Sequence, residues 1–223
     1  MRKIEQEMLA YYQARSTEYE SIYYRDDAIR QQELADAEQS LVEAVRDKSV
    51  LEFACGTGYW TKAMSRVAKK ILAVDYSTGM IEKAREKTYD CPVRFETGDM
   101  FTFSPGETAF DVVVLGFWFS HQSKDEYDRL FDVLTRPLKP GGRIWMIDNN
   151  PPAESSHPAT PTSDEFGNNI KKRLLDDGTE FTIIKNYFSE ESLQTVLTPR
   201  FRITGRFYGK YYWWVELEPL DKP

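Results

Sequence analysis

The stretch VLEFACGTGYWT (residues 50–61) decides how the rest of the chain is read. An apolar, β-prone run enters Ala54-Cys55-Gly56-Thr57-Gly58 and continues into the helix-like YWTKAMSRVA (59–68). A strand that turns through glycines into a helix exposes backbone N–H groups at its carboxyl end, where nucleotides are commonly held. A dinucleotide turn wants Gly-x-Gly-x-x-Gly, and Thr61 stands where the third glycine belongs. The Gly-Lys-Ser/Thr ending of a phosphate-binding P-loop is absent. Alone, the elbow reads first as a tight turn with no ligand.

Outward from it, the hydrophobic period alternates. Strands are predicted at 49–54, 70–77, 93–98 and 110–116, a turn followed by a strand over 139–148, and helices at 59–68, 79–88 and 124–138. FDVVVLG (110–116) is almost wholly apolar, as a strand buried on both faces requires. Such alternation implies right-handed crossovers and a parallel sheet. Two helices precede it, at 3–20 and 27–46. A loop rich in Pro, Ser and Thr (151–163) follows, then a hairpin over 170–188 turning at Asp177-Gly178, then a short helix at 189–197. FRITGRFYG and KYYWWVELE read as two final strands about a tight turn, too close for a crossover, so the last runs antiparallel. One domain spanning 1–223 is expected, divided as 1–47, 48–149, 150–188 and 189–223.

The elbow is not alone. The second predicted strand ends in AVDYS, placing Asp75 where a carboxylate accepts ribose hydroxyls. The third leads into ETGDMF, placing Asp99, Met100 and Phe101 where an acid meets an exocyclic amine and soft or flat groups pack on a purine. Glu52 adds an acid to the first strand. As single residues, Asp75 is also readable as a helix cap and Asp99 as a turn residue.

In order and spacing, EFACGTG, AVDYS, TGDMF, FDVVVLGFWFSH and LKPGGRIWMID resemble the class I S-adenosylmethionine-dependent methyltransferases, closely over 48–149 and loosely elsewhere. The resemblance implies a Rossmann-like α/β sandwich with a mostly parallel seven-stranded sheet, an antiparallel last strand, N-terminal helices and a hairpin insertion. It implies S-adenosylmethionine as cofactor, held by Glu52, Ala54, Cys55, Gly56, Gly58, Trp60, Asp75, Tyr76, Met80, Asp99, Met100, Phe101 and Gly116. The family pattern has a glycine where this chain has Ala54, and the turn survives that change if Ala54 keeps φ below zero.

The methyl acceptor belongs beyond the fourth strand, at FWFSHQ. Phe117 and Trp118 would offer ring faces to a sulfonium, and His121 would take a proton from a hydroxyl or amine or, on the plainer reading, only cap and pack. Family members often fold the N-terminal helix over the cofactor, so Tyr11, Tyr12 and Tyr19 are expected either to face the acceptor or to pack as core. His157 lies in a polar loop and reads as solvated. Asn150-Pro151-Pro152-Ala153 imitates the Asn-Pro-Pro-aromatic motif of base and amide methylating enzymes, but follows the wrong strand and lacks the aromatic.

The net charge of −7 disfavours wide contact with phosphate backbones, so no nucleic acid partner is expected. Lys171-Lys172-Arg173 reads as a solvated strand edge. The two cysteines fit a reducing compartment, and no His or Cys set has metal-ligand spacing. The N-terminus lacks a signal-peptide core and no apolar run spans a membrane, so a cytoplasmic monomer or homodimer is expected. The leading reading is methyl transfer to an oxygen or nitrogen of a small aromatic or heteroaromatic acceptor. Methylation of RNA or protein, a non-catalytic cofactor-binding module and a nicotinamide dehydrogenase are the rivals.

Overall fold

The computed structural model describes residues 2–15, 19–104, 110–151, 162–175 and 177–220. Helix α1 (Lys3–Ala14) is followed by a 3-10 turn at Tyr19–Tyr24 and α2 (Ala28–Val45). Then come β1 (Ser49–Phe53), α3 (Tyr59–Ser65), β2 (Lys70–Asp75), α4 (Thr78–Arg85), β3 (Val93–Thr97) and β4 (Phe110–Gly116). After 3-10 turns at Phe119–His121 and Lys124–Glu126 come α5 (Tyr127–Thr135) and β5 (Leu138–Asn149). The remainder is β6 (Thr162–Ser163), β7 (Asn169–Leu174), β8 (Glu180–Ile184), α6 (Glu190–Leu197), β9 (Phe201–Tyr208) and β10 (Tyr212–Pro219).

The main sheet has seven strands in the order β3-β2-β1-β4-β5-β10-β9, with β10 antiparallel to both neighbours. β1 through β5 pair in parallel, and the strand order reverses between β1 and β4. The carboxyl ends of those two strands therefore flank the crevice where open α/β sheets take ligands. β1 is buried along its whole length, as its apolar run requires.

Two apolar layers cover the sheet. α2 and α3 close one face with Leu34, Leu41, Val45, Trp60 and Met64, while α5 and α6 close the other with Leu130, Phe131, Leu193 and Leu197. Trp213 and Trp214 point to opposite faces, as neighbours on a strand must. Helix starts follow side-chain caps: Asp27 accepts from Arg30 N, Ser77 from Met80 N and Ser189 from Ser192 N.

Several expectations need correction. The helix expected over 3–20 stops at Ala14, and Tyr19 opens a separate 3-10 turn. The helix expected from 124 begins as a 3-10 turn, and Leu138 already belongs to β5, where it pairs with Phe110. The hairpin at 170–188 gains a two-residue partner, β6, and forms a second sheet in the order β6-β7-β8. α1 lies on that sheet, with Met8 and Tyr11 against Ile183 and Ile184. His157, Pro152 and Ala153 fall outside the described residues. No described helix is long and apolar enough to cross a membrane.

Candidate active site

At the elbow the chain reverses through Ala54 (φ 52°), Gly56 (φ 55°) and Gly58 (φ 80°). Ala54 thus sits in the left-handed region, against the expectation that its φ stays below zero. The turn keeps the geometry a glycine would hold and accepts the strain of a Cβ, about 1–2 kcal/mol. Phe117, just past β4, has a φ of 56° as well. Two left-handed non-glycine residues thus flank the switch point, where strain often accompanies function.

Asp75 ends β2 and ties the elbow down. One carboxylate oxygen accepts the Gly56 N–H at 2.8 Å and the other the Ser77 N–H at 2.9 Å. Burial pushes this carboxyl up, against those two N–H donors. Each oxygen keeps a lone pair for a further donor. Ser77, not Asp75, caps α4. Asp99 closes a turn by accepting the Phe101 N–H at 2.9 Å, so its turn role is real. Arg129 stacks 4.5 Å from the centroid of the Phe101 ring.

These groups line one end of a cavity of about 540 Å³. Ala54, Gly56, Asp75, Tyr76, Met80, Asp99, Met100 and Phe101 form that end. Tyr12, Trp118, His121 and Ile184 line the other, Tyr19 lies between with its ring beside Gly56 and 6.1 Å from that of Tyr12, and Arg2, Glu5, Asp125, Glu126, Arg129 and Phe166 also border the cavity. Arg2 binds Glu5 at 2.7 Å and reaches Glu126 at 3.2 Å, joining the start of α1 to the turn before α5.

His121 is buried and hydrogen-bonded on both nitrogens. Nδ1 lies 2.6 Å from the Ile184 carbonyl oxygen and Nε2 lies 2.6 Å from Tyr12 Oη. A carbonyl only accepts, so Nδ1 carries the proton, Nε2 is a bare lone pair, and Tyr12 donates to it. Burial, then the nearby Lys185 cation, lowers His121 to about 3, with Asp148 opposing. Burial holds the Tyr12 hydroxyl well above its ordinary value. Beneath the turn, Asp148 accepts the Ser120 N–H and Oγ–H, both at 2.8 Å, and pairs with Lys185 at 3.1 Å.

A methyltransferase-domain profile matches residues 50–142. The structure known as the DhpI-SAH complex is 26% identical, covers 97% of each chain and superposes with a TM-score of 0.76. The DhpI-SAM-HEP complex, 24% identical over 98% of this chain and 99% of that one, shares the fold with a TM-score of 0.78. A methyltransferase domain over residues 50–142 and a fold shared with structures solved with SAH and SAM support a class I S-adenosylmethionine-dependent methyltransferase. The demethylmenaquinone methyltransferase of Lactococcus lactis is 31% identical over 119 residues, which are 51% of this chain and 44% of that protein. The chain spans about half the length of the curated relatives it matches.

Not every residue that the methyltransferase resemblance implied lines the cavity. Glu52 is buried beside Thr61, which donates to it at 2.5 Å, and burial raises its carboxyl to about 8. Cys55 and Trp60 belong to the core under α2. Gly58 serves helix packing, since a Cβ there would stand 2.6 Å from Tyr89 Oη. Gly116 makes room for Trp60, whose ring a Cβ would meet at 2.9 Å. Phe117 packs against Trp60 and Tyr23, and Tyr11 packs beneath α1 against Phe181. Sequence reasoning missed Arg2, Leu9, Gln122, Phe166 and Ile184 in the wall. Helical spacing from Tyr12 would have pointed to Leu9; nothing local marks Ile184 or Phe166. Among the described residues no three His, Cys, Asp or Glu side chains group as metal ligands.

Proposed function

We propose that this chain transfers a methyl group from S-adenosylmethionine to an oxygen or nitrogen of a small aromatic or heteroaromatic acceptor. The observation that carries the reading is one continuous cavity, with backbone elbow and carboxylates at one end and the Tyr12–His121 pair at the other. The first end suits a nucleoside that lacks phosphate. Asp75 and Asp99 offer acceptors to ribose hydroxyls and an amino group, and Met80, Met100, Phe101 and Tyr76 offer apolar surface to a purine. A Cβ on Gly56 would meet only the Tyr19 ring, at 3.6 Å, so the bare backbone leaves room for the amino-acid part.

When bound, the cofactor supplies a methyl on a sulfonium, whose departure needs neither acid nor metal. The protein positions and desolvates. Trp118, Tyr12 and Tyr19 present rings to a cation and keep water out. Tyr12 Oη would receive the acceptor's proton as its own passes to His121 Nε2. An imidazole lowered that far by burial and Lys185 is a weak base, so an acceptor more acidic than an aliphatic alcohol, such as a phenol, suits it better. A small acceptor is further supported by the cavity size, and Arg2 and Arg129 at its border are paired with Glu126.

Calorimetric titration tests this with S-adenosylhomocysteine and NAD in parallel. S-adenosylhomocysteine should bind, and Asp75→Ala should weaken it by ~1–3 kcal/mol through lost charged hydrogen bonds. Binding of NAD with no response to S-adenosylhomocysteine would overturn the proposal.

A further inference from the structure

The His121 ring hangs from a polar cluster that belongs neither to the cavity wall nor to the apolar core. Lys185 directly follows β8 and is buried. Its ammonium donates to Ser120 Oγ at 2.6 Å, Asp148 Oδ1 at 3.1 Å and Asn149 Oδ1 at 3.0 Å, which uses all three of its protons. Asp148 comes from β5 and also accepts the Asn149 N–H at 2.7 Å. The next residue, Asn186, donates its backbone N–H to Ser120 O at 2.7 Å and its side chain to Gln122 O at 3.0 Å. Ser120, His121 and Gln122 are thus gripped in succession by the chain leaving β8, while Ile184, one residue before Lys185, offers its carbonyl to His121 Nδ1.

We propose that Lys185, paired with Asp148, is a positioning residue that holds the Ile184 carbonyl against His121, so that the imidazole is fixed as the neutral Nδ1–H tautomer with Nε2 bare toward Tyr12. The inference rests on the reading of the cavity's Tyr12–His121 end as the acceptor site, and it assigns the insertion hairpin a part in the chemistry. Without that carbonyl the ring is free to flip its tautomer, and a proton on Nε2 would turn an acceptor of the Tyr12 hydroxyl into a competitor for its oxygen. The charged and titratable groups facing His121 are Tyr12 from α1, Lys185 after β8, Asp148 from β5 and Arg173 from β7. Two cations among them oppose a second proton on the ring, and one buried anion favours it.

The chain has two histidines, so His157→Gln leaves a single imidazole for nitrogen-15 NMR. In that background His121 should show a protonated Nδ1 and a bare Nε2, unchanged between pH 8 and about pH 5. A protonated Nε2, or a titration near the ordinary histidine midpoint of ~6.5, overturns the proposal. Lys185→Met should move the midpoint up by about one pH unit or more, because Asp148 then faces the ring with only Arg173 opposing it. Should that variant not fold, Lys185→Met/Asp148→Asn removes both charges and should give a mixture of tautomers. Folded variants whose imidazole signals overlay the parent's would make the cluster merely structural and sink the idea. The measurement needs neither cofactor nor acceptor. A protein with this tautomer that fails to bind S-adenosylhomocysteine would lose the function proposed above and keep this inference.

Discussion

At Ala54 a left-handed backbone meets a side chain that dislikes it. Ala54→Gly should therefore stabilise the fold by ~0.5–1 kcal/mol, the relief of the Cβ less the added freedom of the unfolded chain. Urea unfolding checks this, and a loss above about 1 kcal/mol would mean that methyl packing outweighs the strain. Glu52 poses a second residue-scale test. Its carboxyl is raised from 4.5 to about 8 by burial, so the folded state binds its proton more tightly than the unfolded chain does. The stability this contributes is full below pH 4.5 and is lost as pH rises through about 8. Glu52→Gln should match or trail the parent at pH 5. It should surpass the parent by on the order of a few kcal/mol at pH 9, the sign set by the parent's buried carboxylate. A constant gap across that range would show that Glu52 does not titrate with folding.

Elements explain which of these residues sequence reading reached. Asp75, Asp99 and the elbow sit at the ends of strands whose apolar runs declare themselves, so their place at one crevice follows from strand order alone. Trp60, Gly116 and Phe117 lie within a few residues of the same ends yet face the core, because side-chain direction at a strand-to-helix turn depends on left-handed steps that composition does not signal. The wall formed by α1 and β8 was legible as tyrosines on a helical stripe and as an insertion hairpin over 170–188 near the carboxyl edge of the sheet. Of the tyrosines, Tyr12 reaches the cavity while Tyr11 packs under it. α1 is held through Met8 and Tyr11 on Ile183 and Ile184, a small cluster apart from the two main layers. Met8→Ala should loosen this one contact by ~2–3 kcal/mol. Hydrogen exchange should then quicken across α1 while the amides of β1 and β4 keep their protection. Equal acceleration in those strands would show that α1 is integral to the main core rather than a separately opening wall.

On the scale of the whole molecule, two sheets meet at one short turn. The parallel sheet supplies β4, β5 and the cofactor end of the cavity, and the small antiparallel sheet supplies β8 and the floor beneath α1. The sequence announces each sheet but not their junction, because Asp148, Ser120 and Lys185 are far apart along the chain and individually ordinary. Their burial makes the junction costly to break. Asp148→Ala would leave the Lys185 ammonium, which is almost wholly enclosed, with two neutral oxygens and no anion. Removing one partner of a buried pair typically costs 3–5 kcal/mol, whereas replacing both with neutral groups of similar size often costs far less. Asp148→Ala should thus lose about 3–5 kcal/mol in urea unfolding, and Asp148→Asn/Lys185→Met well under half of that. The single variant should also uncouple the sheets before the main core melts, so exchange in β7 and β8 rises ahead of β1. A single variant as stable as the parent would mean that water already reaches Lys185 and that apolar packing alone joins the two sheets.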